Sequence, residues 1–157
     1  MQRQLEDYYN NFYSKIFVSS TKMNDEGFEN ARKLVAWKNK VKQSWDKISV
    51  ESLLVPDSSL APIDFGKHFV AELILNIPDL QAEDIGVEIL MGNKSNGDIE
   101  NITFKKELDS VTLTDGKVKY TCDFPLQHAG VHDYAFRVFP KHPDLKYRMD
   151  FALVKWV

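Results

Sequence analysis

The chain has 157 residues, a net charge of −3, and 43% hydrophobic against 27% charged residues. That is the balance of an ordinary globular protein with room for one full domain plus an appendage. Acidic and basic residues are interleaved, which argues against nucleic acid or an anionic membrane as a partner.

A single cysteine, Cys122, leaves no internal disulfide to form and fits a reducing compartment. Met1–Glu6 leads into an amphipathic segment and not into the continuous apolar core of a signal peptide. No apolar run approaches the roughly 20 residues of a membrane span. The expectation is a soluble, cytoplasmic protein.

The first element is a helix over Gln2 to Val18. Leu5, Tyr8, Tyr9, Phe12, Tyr13, Ile16 and Phe17 fall at helical spacing and form one broad aromatic face. Such a face needs something to pack against. The Ser19-Ser20-Thr21 cluster is expected to end this helix. Asn24 then reads as the N-cap of a second helix, with Asp25 and Glu26 in its first turn. Leu34, Trp37, Val41, Trp45 and Ile48 make a narrow apolar seam along it, suited to a groove or a sheet edge.

From Ile48 the period changes to two. Strands are expected at Ile48–Val55, His68–Leu75, Ile85–Met91, Ile99–Leu108, Ser110–Leu113, Lys117–Leu126, His132–Phe139 and Phe151–Trp156. A loop over Pro56 to Pro62 follows the first. Asp115-Gly116 reads as a type I′ hairpin turn, because both central residues must take positive φ. After it Val118, Tyr120, Cys122, Phe124 and Leu126 alternate with Lys119, Thr121 and Asp123. The fold class is mainly β: an immunoglobulin-like β-sandwich of about seven or eight strands preceded by two amphipathic α-helices. The domain reading is a helical segment over 1–47 and a sandwich over 48–157.

Chemistry is harder to find. His68, His128, His132 and His142 show no zinc-ligand spacing, with or without Cys122. His128 and His132 flank Gly130 and read as loop residues. Cys122 falls on an inward strand face and reads as a buried structural thiol, not a nucleophile. There is no phosphate loop, dinucleotide fingerprint or serine elbow. Pairs such as Asp84/Glu88 and Glu72/Asp79 are expected by chance among 23 acidic residues. No catalytic, cofactor-binding or metal-binding residue is assigned.

Two stretches nevertheless carry a family resemblance. Arg3-Gln4-Leu5-Glu6-Asp7-Tyr8-Tyr9-Asn10-Asn11-Phe12-Tyr13, followed by Ala31-Arg32-Lys33-Leu34-Val35-Ala36-Trp37-Lys38 and Trp45, is one. Gly130-Val131-His132-Asp133-Tyr134-Ala135-Phe136-Arg137-Val138-Phe139-Pro140-Lys141-His142-Pro143, ending in Val154-Lys155-Trp156, is the other. Both resemble the C-terminal region of bacterial α-glucan (glycogen/maltodextrin) phosphorylases that extend beyond the glycosyltransferase core. The resemblance implies a parent enzyme that uses pyridoxal phosphate to cleave α-1,4-glucan with phosphate, giving glucose 1-phosphate. The lobes and lysine motif that hold the cofactor in that family are absent from this sequence, so no catalytic residue carries over.

On this reading the fragment is non-catalytic, structural, regulatory or oligomerising. Tyr8, Tyr9, Phe12 and Tyr13 would dock on the catalytic lobes of the parent, and Trp37 and Trp45 would bridge to the sandwich. An excised helix face could instead bury itself in a homodimer. One rival is an α-glucan-binding module, whose aromatic platform would draw on Tyr120, Tyr134, Tyr147 and Trp156. Another is a free-standing protein-interaction domain with Met1 as its true start.

Overall fold

The structure is a computed structural model that describes residues 3, 6–7, 9–56, 68–95, 98–126 and 133–157. Side chains are described throughout these ranges except at 11, 12, 15, 19, 22, 25, 26, 93–95 and 98–100. The chain divides into two compact units, Met1–Lys40 and Val41–Val157.

In the first unit a π-helical turn, Tyr9–Tyr13, runs directly into α1, Ser14–Ser44. One helix therefore stands where the sequence suggested two. The hydroxyl cluster does not break it, and its Thr21 turns back onto the helix, as Ser14 does earlier. Thr21 Oγ1 donates to the Phe17 carbonyl, and Ser14 Oγ to that of Asn10, each at 3.0 Å. A hydroxyl bonded four residues back is satisfied within the helix and offers no cap for a new one. Asn24 accordingly lies inside α1 and is not an N-cap. The backbone departs from helical geometry at Gly27 and Phe28, with φ of +65° and +68°. Positive φ suits glycine but is an outlier for a residue as bulky as Phe28.

The second unit is the sandwich. Its strands are β1 (Ser49–Leu54), β2 (His68–Asn76), β3 (Ile85–Ser95), β4 (Asp98–Glu107), β5 (Asp109–Thr112), β6 (Lys117–Pro125), β7 (Asp133–Pro140) and β8 (Lys155–Trp156). They form two four-stranded sheets, β1-β2-β6-β5 and β4-β3-β7-β8, with antiparallel pairing throughout. This is the immunoglobulin order, ABED facing CFG, with β4 added as the C′ strand beside β3. The sequence expectation of a sandwich with about eight strands stands.

Twofold alternation fills the space between the sheets. Phe69, Ala71, Leu73 and Leu75 of β2 and Val118, Tyr120, Cys122 and Phe124 of β6 are buried. Val87, Ile89, Phe136 and Val138 are buried in the second sheet. At one end the contact is aromatic. The Phe124 ring stacks on Phe69 at 5.4 Å and on Phe104 at 4.5 Å, and Tyr134 meets Phe69 edge-on at 5.2 Å. Offset and edge-to-face rings gain about 1 kcal/mol per pair beyond the area they bury.

The hairpin between β5 and β6 has the expected turn. Asp115 and Gly116 take φ of +60° and +72°, and the Lys117 N–H donates to the Thr114 carbonyl at 3.3 Å. The last strand is shorter than the sequence suggested. Residues Arg148–Phe151 coil into a 3₁₀ turn instead. The Tyr147 N–H donates to Asp150 Oδ2 at 3.1 Å and the Asp150 N–H donates back to the Tyr147 carbonyl at 3.0 Å, which closes that turn before β8 begins.

The C-terminal end of α1 is tied down within this unit. Trp45–Lys47 forms a 3₁₀ turn, and Lys155 Nζ donates to the carbonyls of Trp45, at 3.2 Å, and Ile48, at 2.7 Å. A cation at carbonyls left over from a helix end satisfies them and complements the helix dipole. Among the described residues, no helix is long and apolar enough to cross a membrane.

Candidate functional site

The outer face of the second sheet carries a charged constellation. Residues 85–92 of β3 are buried on both faces, and one of them is Glu88, with 1% of its surface exposed. Register places Glu88 opposite Glu107 of β4 and Arg137 of β7, and Arg137 opposite Trp156 of β8. Directly opposed residues share a face, so Glu107, Glu88, Arg137 and Trp156 form one row across the sheet.

A buried carboxylate requires partners. Glu88 Oε1 accepts hydrogen bonds from Arg137 Nη2 and, at 2.6 Å, from Arg137 Nε. Arg148 Nη1 lies 2.5 Å from the same oxygen. Burial works against the Glu88 charge, but the hydrogen bonds and positive charges of Arg148 and Arg137 outweigh it and hold the carboxyl below its ordinary range. The Arg148 guanidinium also lies 3.7 Å from the centre of the Phe139 ring. Phe139 in turn rests on Gly86, where any Cβ would collide with the ring. Lys141 Nζ bridges to Glu107 Oε1 at 2.5 Å and completes the network. The segment between β7 and β8 is thus held against the sheet by paired charges and one aromatic contact.

Beside the network lies a recess of about 330 Å³, lined in part by Glu83, Ile85, Leu108, Ser110, Tyr120 and His142. The Tyr120 hydroxyl donates to the Ile85 carbonyl at 3.3 Å, and burial pushes its pKa well above the ordinary phenol value. His142 Nδ1 accepts the Asp144 N–H at 3.1 Å. The imidazole therefore acts as a loop brace.

The residues singled out in the sequence are dispersed. Tyr9 and Tyr13 are 62% and 60% exposed, and Ile16 and Phe17 continue their face at 51% and 72%. Tyr8 and the Phe12 side chain lie outside the described residues, as do Leu5, the loop over 57–67, His128 and His132. Trp37 is half-buried, whereas Trp45 is buried in the second unit with Val41 and Ile48. The suggested glycan platform does not exist as a group. Tyr120 is in the core, and Tyr134 packs against Phe69 and Phe136, so the exposed members are Tyr147 and Trp156. Alternation on inward strand faces buries Tyr120 fully and Tyr134 in part.

Cys122 is buried, as its inward position implied, and burial pushes its thiol pKa up. The His68 ring pairs with Asp123 on the surface. No group of three or more His, Cys, Asp or Glu side chains among the described residues could hold a metal. Reading the sequence missed the Glu88 network. The signal available there was a lone acid in the apolar run Ile85–Met91 and a lone base within Tyr134–Phe139.

The fold and its network can now be set against known proteins. A family model described as the glycogen phosphorylase C-terminal domain matches residues 45–157. The chain belongs to this family. The match takes in the whole sandwich and begins at Trp45, a buried residue of the helical seam inside the second unit.

This phosphorylase C-terminal domain also has curated relatives along almost its full length. It is 29% identical over 159 residues to a maltodextrin phosphorylase of Thermococcus litoralis, a match that covers 98% of this chain and 18% of the relative. Glycogen phosphorylases of Mycobacterium bovis and Mycobacterium tuberculosis are each 26% identical over 156 residues, again with 97% of this chain and 18% of theirs. The chain thus spans less than a fifth of the length of the relatives it matches.

Pyridoxal phosphate, which the resemblance implies for a parent enzyme, does not fit the described residues around this recess. It needs a lysine opening into a pocket that welcomes a phosphate. The lysine at the recess, Lys141, is engaged by Glu107, and Glu83 adds a second carboxylate to the wall. Lys146 Nζ is buried without a hydrogen-bond partner, 6.0 Å from the Tyr147 ring, but it does not line the recess.

Proposed function

We propose that this chain is the non-catalytic C-terminal domain of an α-glucan phosphorylase and serves a structural or oligomerising role. The parent enzyme would transfer a glucosyl unit from α-1,4-glucan to phosphate, giving glucose 1-phosphate, in the cytoplasm and with pyridoxal phosphate held elsewhere. The family match over residues 45–157 is the observation that carries this reading.

Residues 1–47 then serve as the end of the glycosyltransferase core and its connector, and 48–157 as the appended sandwich. The exposed face of Tyr9, Tyr13, Ile16 and Phe17 supports docking on the catalytic lobes, because so much aromatic surface on one helix is stable in water only with a partner. Tyr8 and Phe12, expected on that face from sequence spacing, are proposed to dock with it. Trp45, buried as it is, serves as an anchor of the connector and not as a contact surface.

The test uses the 157-residue chain and a separately produced phosphorylase catalytic part in size-exclusion chromatography. Co-elution is expected, and the double variant Y9A/Y13A should weaken it by at least about tenfold, since buried aromatic anchors dominate interface energies. A self-associated chain that ignores the catalytic part would replace the docking role with a homodimer. A native gene product near 18 kDa that neither binds nor stimulates the catalytic part would sink the whole reading.

A further inference from the structure

We propose that Trp156 is a stacking platform for a pyranose ring of α-glucan, with the Arg137 guanidinium, which lies over the indole, as a neighbouring hydrogen-bond donor. The inference rests on the phosphorylase reading above for the class of sugar, and on the geometry of the second sheet for the site.

Trp156 is 59% exposed, although tryptophan carries the largest apolar surface of any side chain and normally hides it. It is not a loose end. The Phe136 N–H donates to the Val157 carbonyl at 3.1 Å and the Val157 N–H to the Phe136 carbonyl at 3.0 Å, which fixes the backbone after it. Before it, Lys155 is bound through Nζ to Trp45 and Ile48. The indole is therefore presented by a backbone secured on both sides, so little freedom remains to be lost when a ligand lands on it.

Arg137 stands directly opposite in register, with its guanidinium carbon 5.8 Å from the centre of the Trp156 ring system. Glu88 holds the Nε and Nη2 groups, which sets the plane of the guanidinium. A guanidinium has five N–H donors. Those not taken by Glu88 have no other hydrogen-bond partner among the described residues, and the Arg137 side chain is 26% exposed. The result is an exposed indole with guanidinium donors within reach, whose charge Glu88 offsets only in part because it is shared with Arg148.

That combination matches a neutral sugar ring. A pyranose has an apolar C–H face, which suits an aromatic plane, and a rim of hydroxyls, which accept from N–H groups. An anionic ligand would be matched less well, because Glu88 and Glu107 lie in the same row. Tyr120 takes no part, being buried in the interior, and the half-buried Tyr134 ring is packed against Phe69 and Phe136.

The experiment is native electrophoresis of the 157-residue chain in gels with and without glycogen. Retardation of the unaltered chain by at least about twofold is expected. W156A should run alike in both gels, W156F should be retarded in between, and maltoheptaose in the gel should release the unaltered chain. Thermal melts of both variants check folding, and W156F keeps the test open should W156A melt early. Unretarded migration of the unaltered chain would overturn the platform, as would W156A held back as strongly as its parent. If W156A instead loses only its association with the catalytic part, this surface is a protein contact and the proposal fails. None of these outcomes touches the phosphorylase reading, which stands or falls on the mass of the gene product and on binding to the catalytic part.

Discussion

Glu88 shows how much one side chain can hold. It is buried to 1% exposure, and one of its oxygens receives two arginines that are 11 residues apart in the chain, Arg137 and Arg148. Removing one partner of such a cluster leaves a buried charge uncompensated, which costs about 3–5 kcal/mol in interior pairs and less where the partners are part-exposed, as here. E88Q should therefore destabilise the sandwich by about 2–3 kcal/mol, read from the midpoint of urea unfolding. The pH dependence has a definite sign. A carboxyl held below its unfolded value contributes stability that is present above about pH 4.3 and lost as pH falls through the folded value. Unfolding midpoints between pH 5 and pH 2 should fall more steeply for the unaltered chain than for E88Q. Equal slopes would mean that the arginines do not sense the carboxylate's charge. Neither arginine was legible as a partner in the sequence. Arg137 meets Glu88 at a distance of 49 residues through strand register, which no local pattern encodes. Arg148 reaches it from the 3₁₀ turn before β8.

Among the elements, the strands were the more readable. Twofold alternation is a property of each strand alone, so burial of Val118, Tyr120, Cys122 and Phe124 could be read directly. The Asp115-Gly116 turn was legible for a related reason, since its φ values demand those residues. The helical region was misread because serine and threonine signal both a cap and a back-bonded helix interior, and only the contacts to Asn10 and Phe17 distinguish them. A sharp test lies at Gly27. In regular helix, Gly→Ala stabilises by about 0.5–1 kcal/mol. At a φ of +65° it should instead destabilise by about 1 kcal/mol, although no atom lies within 4 Å of the added Cβ. Far-ultraviolet circular dichroism of G27A should show lost helix content; a gain would mean that α1 is regular through this point.

Within the second unit, the end of the helical segment is tied to the sandwich by residues that come from distant parts of the chain. Lys155 reaches back 110 residues to the Trp45 carbonyl, and the helix end and the last strand are fixed by the same ammonium group. K155M keeps the stem and removes the donors. It should cost about 1–3 kcal/mol, the value of hydrogen bonds to a charged group, and speed amide exchange in Ile48 and Val157 before the rest of the sandwich. Uniform exchange across the sheets would show that the clamp is not a separate unit of stability. At this scale the sequence revealed the fold class and the family, because both rest on patterns spread over the chain. The outer-face row joining Glu107, Glu88, Arg137 and Trp156 stayed hidden, since four strands contribute one residue each.

The brevity of β8 has a mechanical consequence. Only Lys155 and Trp156 are in the strand, at the free edge of its sheet and antiparallel to β7. Tension applied through residue 157 loads the Val157–Phe136 bonds one after another, as a zipper is drawn, and not together in shear. The next grip along the line of pull is Lys155, so a small force would free the indole and the helix end in a single step while the two sheets stay closed.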